Sequence, residues 1–233
     1  MPTMPLSRAN LSTQLYENLR EALMDGHFRP GQRLTIAAFA EQYGTSITPV
    51  REAIFRLASE RALDVRAATS IMVPKLTPKD LREIVNIRVD LEGMAAFRVA
   101  EIAKPAQIEE FELLNATFID AAATDPERAS RANRDFHFKI LKYADMPYVE
   151  SICENMWTLM GPFLRTFHEE IPVRQLTARN HKHFHFIEAL KQRNPEGARE
   201  AMQLDIKWSD VLVTAQEKAS LEEGSRKLGQ SRK

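Results

Sequence analysis

Five polar side chains interrupt the apolar stripes of the helices predicted for the C-terminal two thirds of the chain: Arg88, Asn133, His137, His183 and Asp205. Burying a guanidinium, an imidazole or a carboxylate is costly unless the group is paired or binds a metal. These residues point inward from four different predicted helices, so we expect them to share one polar site. The core of a helical bundle is a common position for a metal or a small ligand.

Helical rotation indicates which histidine faces inward. Successive positions of a helix are rotated by about 100°, so His181 and His185 share a face and His183 points nearly opposite. The face of His181 and His185 continues into the polar residues Glu188 and Gln192, and we expect it to be exposed to water. We therefore predict that His183 is the inward histidine. The alternative is an exposed His181/His185 pair that chelates a metal.

Prolines divide the region that carries these residues into helical segments. The predicted segments are 78–103, 105–123, 126–144, 147–168, 174–193 and 195–218. Each break contains a proline, and Thr77-Pro78 is a helix-start signal. The pattern predicts an all-α antiparallel helical bundle over residues 76–218. Residues 219–233 are polar and are predicted to form a disordered tail.

The first 75 residues predict three helices and a small hairpin. Ser12 is placed to cap the first helix, and the second helix is predicted over residues 35–43. The third helix is predicted to begin at Thr48, whose hydroxyl can cap free N–H groups before the proline that follows it. Only residues 45–47 separate the second helix from the third, as in a helix-turn-helix. Residues 65–73 alternate weakly and predict a hairpin, or wing.

The third helix has two chemically distinct faces. One face is apolar and consists of Val50, Ala53, Ile54, Leu57 and Ala58. The opposite face consists of Thr48, Arg51, Glu52, Phe55 and Arg56. A short helix with such a polar face can lie in the major groove of DNA. An ordinary amphipathic surface helix has the same pattern, so this helix alone leaves both interpretations open.

Composition and charge exclude several classes of protein, among them disulfide-stabilised and membrane-spanning proteins. The 233 residues carry no net formal charge, but residues 1–75 hold a net +2 and residues 76–233 a net −2. The single cysteine, Cys153, excludes an internal disulfide framework and is typical of a reducing compartment. No apolar run reaches the length of a membrane span, and the N-terminus lacks the pattern of a signal peptide. We therefore expect a cytoplasmic protein with no membrane partner.

Three stretches of the N-terminal region resemble the winged helix of GntR-type bacterial transcription regulators. They are residues 26–34, which contain a Pro-Gly turn, residues 39–41, and residues 48–57, which begin with T-P-V-R-E-A. The resemblance implies a winged helix-turn-helix that binds a double-stranded DNA operator. Ile47 stands where the family pattern has an arginine, and residues 68–70 replace the usual glycine of the wing. Losing that arginine removes a possible bidentate guanine contact, worth about 1–3 kcal/mol, so the family's operator consensus is not transferred to this chain.

The resemblance also assigns candidate DNA contacts. They are Arg33, Ser46, Thr48, Arg51 and Arg56. One winged helix reads only a short half-site, so we expect a homodimer on a near-palindromic operator. Either domain could carry the dimer contact.

The region from Asp80 onward resembles the FCD ligand-sensing domain of the FadR-type branch of these regulators. Many FCD domains bind a divalent metal through D-x-x-x-H on one helix and two further histidines on others. The resemblance places the metal ligands of this chain at Asn133, His137, His183 and Asp205. Two histidines and one carboxylate suit Zn²⁺, Ni²⁺, Mn²⁺ or Fe²⁺, whereas an amide oxygen is a weak ligand. The alternative is a metal-free pocket in which Asp205 pairs with His137 or His183.

These resemblances predict a transcription regulator, not an enzyme. A small-molecule effector, most plausibly a carboxylate, is expected to bind beside the metal and to be received by Arg88 in a charge-assisted pair. The alternative role of Arg88 is a salt bridge with an acid such as Asp205 or Glu154. Two other functions remain open: a DNA-binding protein whose bundle serves only for dimerisation, and a metalloenzyme with an appended helix-turn-helix.

Overall fold

The computed structural model of the chain describes residues 7–67, 70–170, 181–207 and 213–214. The described residues form two compact units. The first unit contains the residues up to Lys75 together with Trp157–Leu164, and the second contains Leu76–Met156 and the described residues from Arg165 onward. No helix in the described ranges is both long and apolar enough to cross a membrane.

The first unit is a winged helix-turn-helix, as predicted. Its helices are α1 (Ser7–Met24), α2 (Ile36–Gln42) and α3 (Ile47–Ser59). Its strands are β1 (Arg33–Leu34), β2 (Asp64–Ala67) and β3 (Ser70–Met72), which form an antiparallel sheet in the order β1-β3-β2. Leu34 of β1 pairs with Ile71 of β3, which ties the start of the helix-turn-helix to the wing. Ala68 and Thr69, at the tip of the predicted wing, lie outside the described residues.

The apolar stripes of the three helices meet in one core. Each stripe recurs at helical spacing, and the members from α1 and α3 are almost completely buried: Leu15, Leu19, Leu23, Val50, Ala53, Ile54 and Leu57. Gly44 follows α2 with a φ of 60°, a conformation that glycine adopts without steric cost and that lets the chain turn sharply into α3. The packing of this core leaves the opposite face of α3 exposed.

Two predicted helix starts are wrong. Helix α1 begins at Ser7, so Ser12 lies inside the helix instead of capping it. Helix α3 begins at Ile47 with Ser46 at the N-cap position, so Thr48 lies in the first turn. Pro49 is compatible with this start, because the first four N–H groups of a helix have no intrahelical partner and a proline among them breaks no bond.

The second unit is a helical bundle, as predicted. Its helices are α4 (Pro78–Ile102), α5 (Pro105–Ala122), α6 (Pro126–Ala144), α7 (Pro147–Glu170, apart from Trp157–Leu164), α8 (Lys182–Lys191) and α9 (Pro195–Lys207). Five of the six begin with a proline, whose fixed φ suits the first position and whose missing N–H would have no partner there. Thr77 and Asp80 form a reciprocal capping box at the start of α4, and Asp125 accepts N–H bonds at the start of α6.

The last two predicted segments lie partly outside the described residues. Within the described residues α8 starts at Lys182, eight residues after the predicted start of 174, and residues 171–180 lie outside the description. The last predicted segment begins at 195 as observed, while its residues 208–212 and 215–218 and the predicted tail 219–233 lie outside the description. Helix α4 packs against α6, α8 and α9. This packing brings the four helices that carry the inward polar residues together.

Candidate functional site

Three of the predicted metal ligands converge in the second unit. Potential ligand atoms of His137 on α6, His183 on α8 and Asp205 on α9 all lie within 4.8 Å of one another. The distance from Asp205 Oδ2 is 3.1 Å to His137 Nε2 and 3.8 Å to His183 Nε2. Both imidazoles are buried, and the Asp205 side chain is only 9% exposed. The apolar stripes of three helices therefore position a compact set of two nitrogens and one carboxylate.

His137 lies between two carboxylates. Its Nδ1 is 2.7 Å from Glu92 Oε2, on the side of the ring opposite Asp205. Burial alone would lower the pKa of His137, but the charge of Glu92 and the hydrogen bond with Asp205 outweigh burial and raise it. For Asp205, burial would raise the pKa, and the neighbouring histidines, led by His183, lower it instead. The ring orientation of His137 is thus set from both sides.

Glu92 is in turn held by Arg88, one helical turn earlier on α4. Arg88 Nε donates to Glu92 Oε1 at 2.6 Å, and the two side chains are 3% and 1% exposed. Glu92 is therefore one partner of Arg88, and it is an acid that the sequence analysis did not name. Burial would raise the pKa of Glu92, but the charges of Arg88 and His137 lower it to about 2. Glu92 consequently carries a buried negative charge.

His181 is buried beside the site, and its predicted exposure is wrong. Helix α8 begins only at Lys182, so His181 is the N-cap residue and helical rotation does not decide where it points. Its Nδ1 accepts a hydrogen bond from the backbone N–H of His183 at 3.4 Å, and its Nε2 lies 3.6 Å from Asp205 Oδ1. Burial lowers the pKa of His181, with Asp205 acting in the opposite direction. His185 is exposed, so the two residues do not form an exposed metal-binding pair.

Aromatic rings enclose the histidines. The ring of Phe136 stacks on His183 with centroids 3.8 Å apart and planes 10° from parallel. Phe118 lies 5.0 Å from the ring of His181 and 5.1 Å from the ring of His183. These contacts exclude water from one side of the cluster. In such surroundings electrostatic interactions are stronger than in water, and an uncompensated charge is more costly.

The remaining predicted ligand, Asn133, lies on α6 four residues before His137 and is partly buried. The convergent histidine and acidic side chains are His137, His183 and Asp205. Asn133 therefore remains a prediction that rests on the family pattern. The sequence interpretation missed Glu92 and His181. The spacing of Arg88 and Glu92 at i and i+4 is a signal that could have identified the first, since oppositely charged residues at this spacing share a helix face.

The predicted DNA contacts lie on or near the exposed face of α3. Ser46, Thr48 and Arg51 are exposed at its N-terminal end. Arg33 is exposed on β1, and its guanidinium donates to the Ser70 hydroxyl at 3.3 Å, which connects it to the wing.

Arg56 differs from the other predicted DNA contacts because it already packs within the first unit. Its guanidinium lies 3.6 Å from the ring centroid of Tyr16, and its Nε lies 3.7 Å from Glu60. The Tyr16 hydroxyl also donates to the Glu60 carboxylate at 2.9 Å. Arg56 is still 53% exposed, so its outer edge remains available to a phosphate.

Comparisons with known proteins divide the chain into two family domains. Residues 11–73 match the family described as bacterial regulatory proteins, gntR family, and residues 83–207 match the FCD domain. Over 213 residues the chain is 34% identical to the HTH-type transcriptional regulator McbR of Escherichia coli strain K12, covering 91% of this chain and 96% of that protein. It is 26% identical over 164 residues to the gluconate operon transcriptional repressor of Bacillus subtilis strain 168, covering 70% and 67% of the two chains.

Solved structures agree with this division. The structure of E. coli McbR/YncC superimposes with a TM-score of 0.82 at 33% identity and covers 89% of this chain and 98% of that one. A putative GntR regulator from Rhodococcus sp. RHA1 superimposes with a TM-score of 0.69 at 20% identity, covering 88% and 97% of the two chains. The second likeness concerns the fold alone.

Proposed function

The chain belongs to the GntR family of bacterial regulatory proteins and carries an FCD domain, and we propose that a small molecule bound in its helical bundle controls how tightly this transcriptional regulator binds its DNA operator. The observation that carries the proposal is the convergence of His137, His183 and Asp205 inside the bundle. A cluster that served stability alone would be costly, since buried charges stabilise a protein poorly compared with well-packed apolar side chains.

We propose that this cluster holds a divalent metal ion. The donor set fits one, because two imidazoles and a carboxylate suit Zn²⁺, Ni²⁺, Mn²⁺ or Fe²⁺. The charges also fit. A divalent cation would place positive charge beside the buried carboxylate of Asp205. The competing possibility is a metal-free site in which Asp205 remains the hydrogen-bond partner of His137.

The surrounding residues would hold the ligands in place. Glu92 faces His137 Nδ1, which leaves Nε2 directed toward the cluster. His181 accepts the backbone N–H of His183 through Nδ1, so in the neutral ring its proton is on Nε2. This Nε2 faces Asp205 Oδ1. The other oxygen, Asp205 Oδ2, lies on the side of His137 and His183. Residues that orient metal ligands in this way typically contribute 10- to 100-fold to metal affinity.

We propose that the effector is a carboxylate that binds beside the metal. When bound, the metal supplies a Lewis-acidic position that suits a carboxylate oxygen. Arg88 was predicted to receive the carboxylate, but it is 3% exposed and its Nε donates to Glu92. Its proposed role is therefore to hold Glu92. Effector binding would shift the operator affinity by a coupling free energy of about 1–3 kcal/mol, as is typical of allosteric proteins.

We further propose that the regulator acts as a homodimer and catalyses no reaction. One winged helix reads a half-site, and two copies would supply the specificity that an operator requires. The relatives named above are called transcriptional regulators or repressors, which supports a regulatory role over catalysis. A bundle that serves only for dimerisation would not need the buried polar cluster.

Elemental analysis of protein purified without chelators tests the metal site. We expect about one equivalent of metal per chain in the wild type and a large loss in His183→Ala and in Asp205→Asn. His185→Ala is the matched control, because His185 lies on the same helix but is exposed, and it should retain the metal. If the wild type and Asn133→Asp both carry no metal, the site is a purely organic effector pocket and the metal proposal is wrong.

A further inference from the structure

Two large apolar side chains are exposed on the helix that is expected to face DNA. Ile47 is 48% exposed and Phe55 is 47% exposed, whereas four apolar residues of the opposite face of α3 are at most 1% exposed: Val50, Ala53, Ile54 and Leu57. Leaving an aliphatic side chain half in water forgoes part of the free energy that its burial would provide. The core of the first unit does not require an apolar residue at Ile47, so its role lies on the exposed face.

Ile47 lies at the N-terminal end of the recognition helix. It is the first residue of α3, directly after the N-cap residue Ser46, and lies one turn before Arg51. In a helix-turn-helix the N-terminal residues of the recognition helix contact base edges in the major groove. Its neighbours Ser46 and Thr48, and Arg51 one turn later, are exposed predicted DNA contacts, so the exposed side chain of Ile47 lies among them.

The chemistry of isoleucine limits what it can recognise. Its side chain neither donates nor accepts a hydrogen bond, so it cannot read the polar pattern of guanine, adenine or cytosine. The apolar group that the major groove presents is the C5-methyl of thymine. We propose that Ile47 is a specificity-determining residue that selects thymine through contact with this methyl group. The inference rests on the DNA binding of the winged helix and is independent of the metal and the effector.

Phe55 provides a matched comparison on the same helix. It lies eight residues after Ile47, which is about 12 Å along the helix axis, and therefore cannot meet the same base. Its exposure is nearly equal to that of Ile47. A general effect of removing exposed apolar surface would appear in both variants, whereas recognition of the thymine methyl belongs to Ile47.

Replacing single thymines by deoxyuridine in a selected operator tests the proposal. The operator is first selected from a random DNA library with the full-length wild-type protein, and each thymine is then replaced in turn, which deletes one methyl and preserves base pairing. We expect one position in a half-site at which dU weakens wild-type binding about fourfold, as for the loss of one buried methyl group. Fluorescence anisotropy gives the ratio of Kd values for dU and dT at that position.

The variants decide which residue reads the methyl. For Ile47→Ala the dU/dT ratio at that position should fall to about one, even where overall binding is weaker, and for Phe55→Ala it should stay near fourfold. Selection with Ile47→Arg should replace the thymine by guanine, the base that arginine reads bidentately. The proposal is overturned if dU is tolerated at every position by the wild type, or if Ile47→Ala keeps the wild-type ratio. Unchanged thermal melting of the first unit confirms that the variants are folded.

Discussion

Removing the charge of Glu92 should strongly destabilise the helical bundle, even by a substitution that preserves the size of the side chain. Glu92→Gln keeps the size of the side chain but removes the negative charge that lies 2.6 Å from the guanidinium of Arg88, which is 3% exposed. Breaking a buried ion pair by changing one partner typically costs about 3–5 kcal/mol. The lowering of the Glu92 pKa from 4.5 to about 2 gives a similar value, about 3 kcal/mol.

Thermal melting of chelator-treated protein measures this effect. A loss of about 3 kcal/mol corresponds to a fall in Tm on the order of 10 °C for a unit of this size. Glu101→Gln is the matched control, because the Arg98–Glu101 pair lies on the same helix at 3.1 Å but is 50% and 41% exposed. An exposed pair contributes about 0–1 kcal/mol, so the control should change little. Equal melting of the two variants would refute the assignment of a buried, charged Glu92.

The Arg88–Glu92 pair predicts that the free energy of unfolding depends on pH. The pKa of Glu92 is lower in the folded protein than in the unfolded chain, so its charge stabilises the fold above pH 4.5, and this contribution is lost as the pH falls toward about 2. The difference in unfolding free energy between wild type and Glu92→Gln should therefore be largest near neutral pH and shrink below pH 4.5. Urea titrations of the chelator-treated proteins across this range provide the measurement.

Three further predictions concern DNA binding, the metal ligands and assembly. Arg51→Ala should weaken operator binding and flatten its dependence on salt while leaving Tm within about two degrees, because Arg51 is exposed; an unchanged affinity across a salt series would contradict its placement on DNA. Asn133→Asp should tighten metal binding, since it places a carboxylate one turn before His137, and an unchanged affinity in competition with a chelator would contradict Asn133 as a ligand position. Sedimentation should show two chains per particle in solution and two per operator on DNA; a monomer that binds one per site would exclude the proposed homodimer.

The helix boundaries of the bundle could be predicted because the residues that begin helices act locally. Prolines at positions 78, 105, 126, 147 and 195 begin five helices of the bundle, and each acts through its own ring and missing N–H. Residues 48–57 carry both the family pattern and the amphipathic faces of α3. The start of α3 was harder to predict, since Ser46 and Thr48 are both good caps and proline is tolerated throughout the first turn.

The orientation of a site residue could be predicted only where the residue lies inside a regular helix. His183 lies within α8 and is fully buried, as its helical phase indicates. His181 precedes the helix, so its position depends on how the chain enters α8, which helical phase does not encode. The i, i+4 spacing can pair Glu92 with Arg88, but only the packing of α4 against α6 shows that Glu92 meets His137. Pairing between helices is long-range information that a single sequence does not display.

The most direct test of the account is the operator affinity of the wild type and of His183→Ala, each with and without added metal and candidate carboxylates. Fluorescence anisotropy on the selected operator gives the Kd values at a fixed salt concentration. We predict that one combination of metal and acid shifts the wild-type Kd by roughly 5- to 150-fold, as a coupling of 1–3 kcal/mol requires, and leaves His183→Ala unchanged. An identical shift in both proteins would contradict the account, because the response would then not pass through the buried cluster of His137, His183 and Asp205.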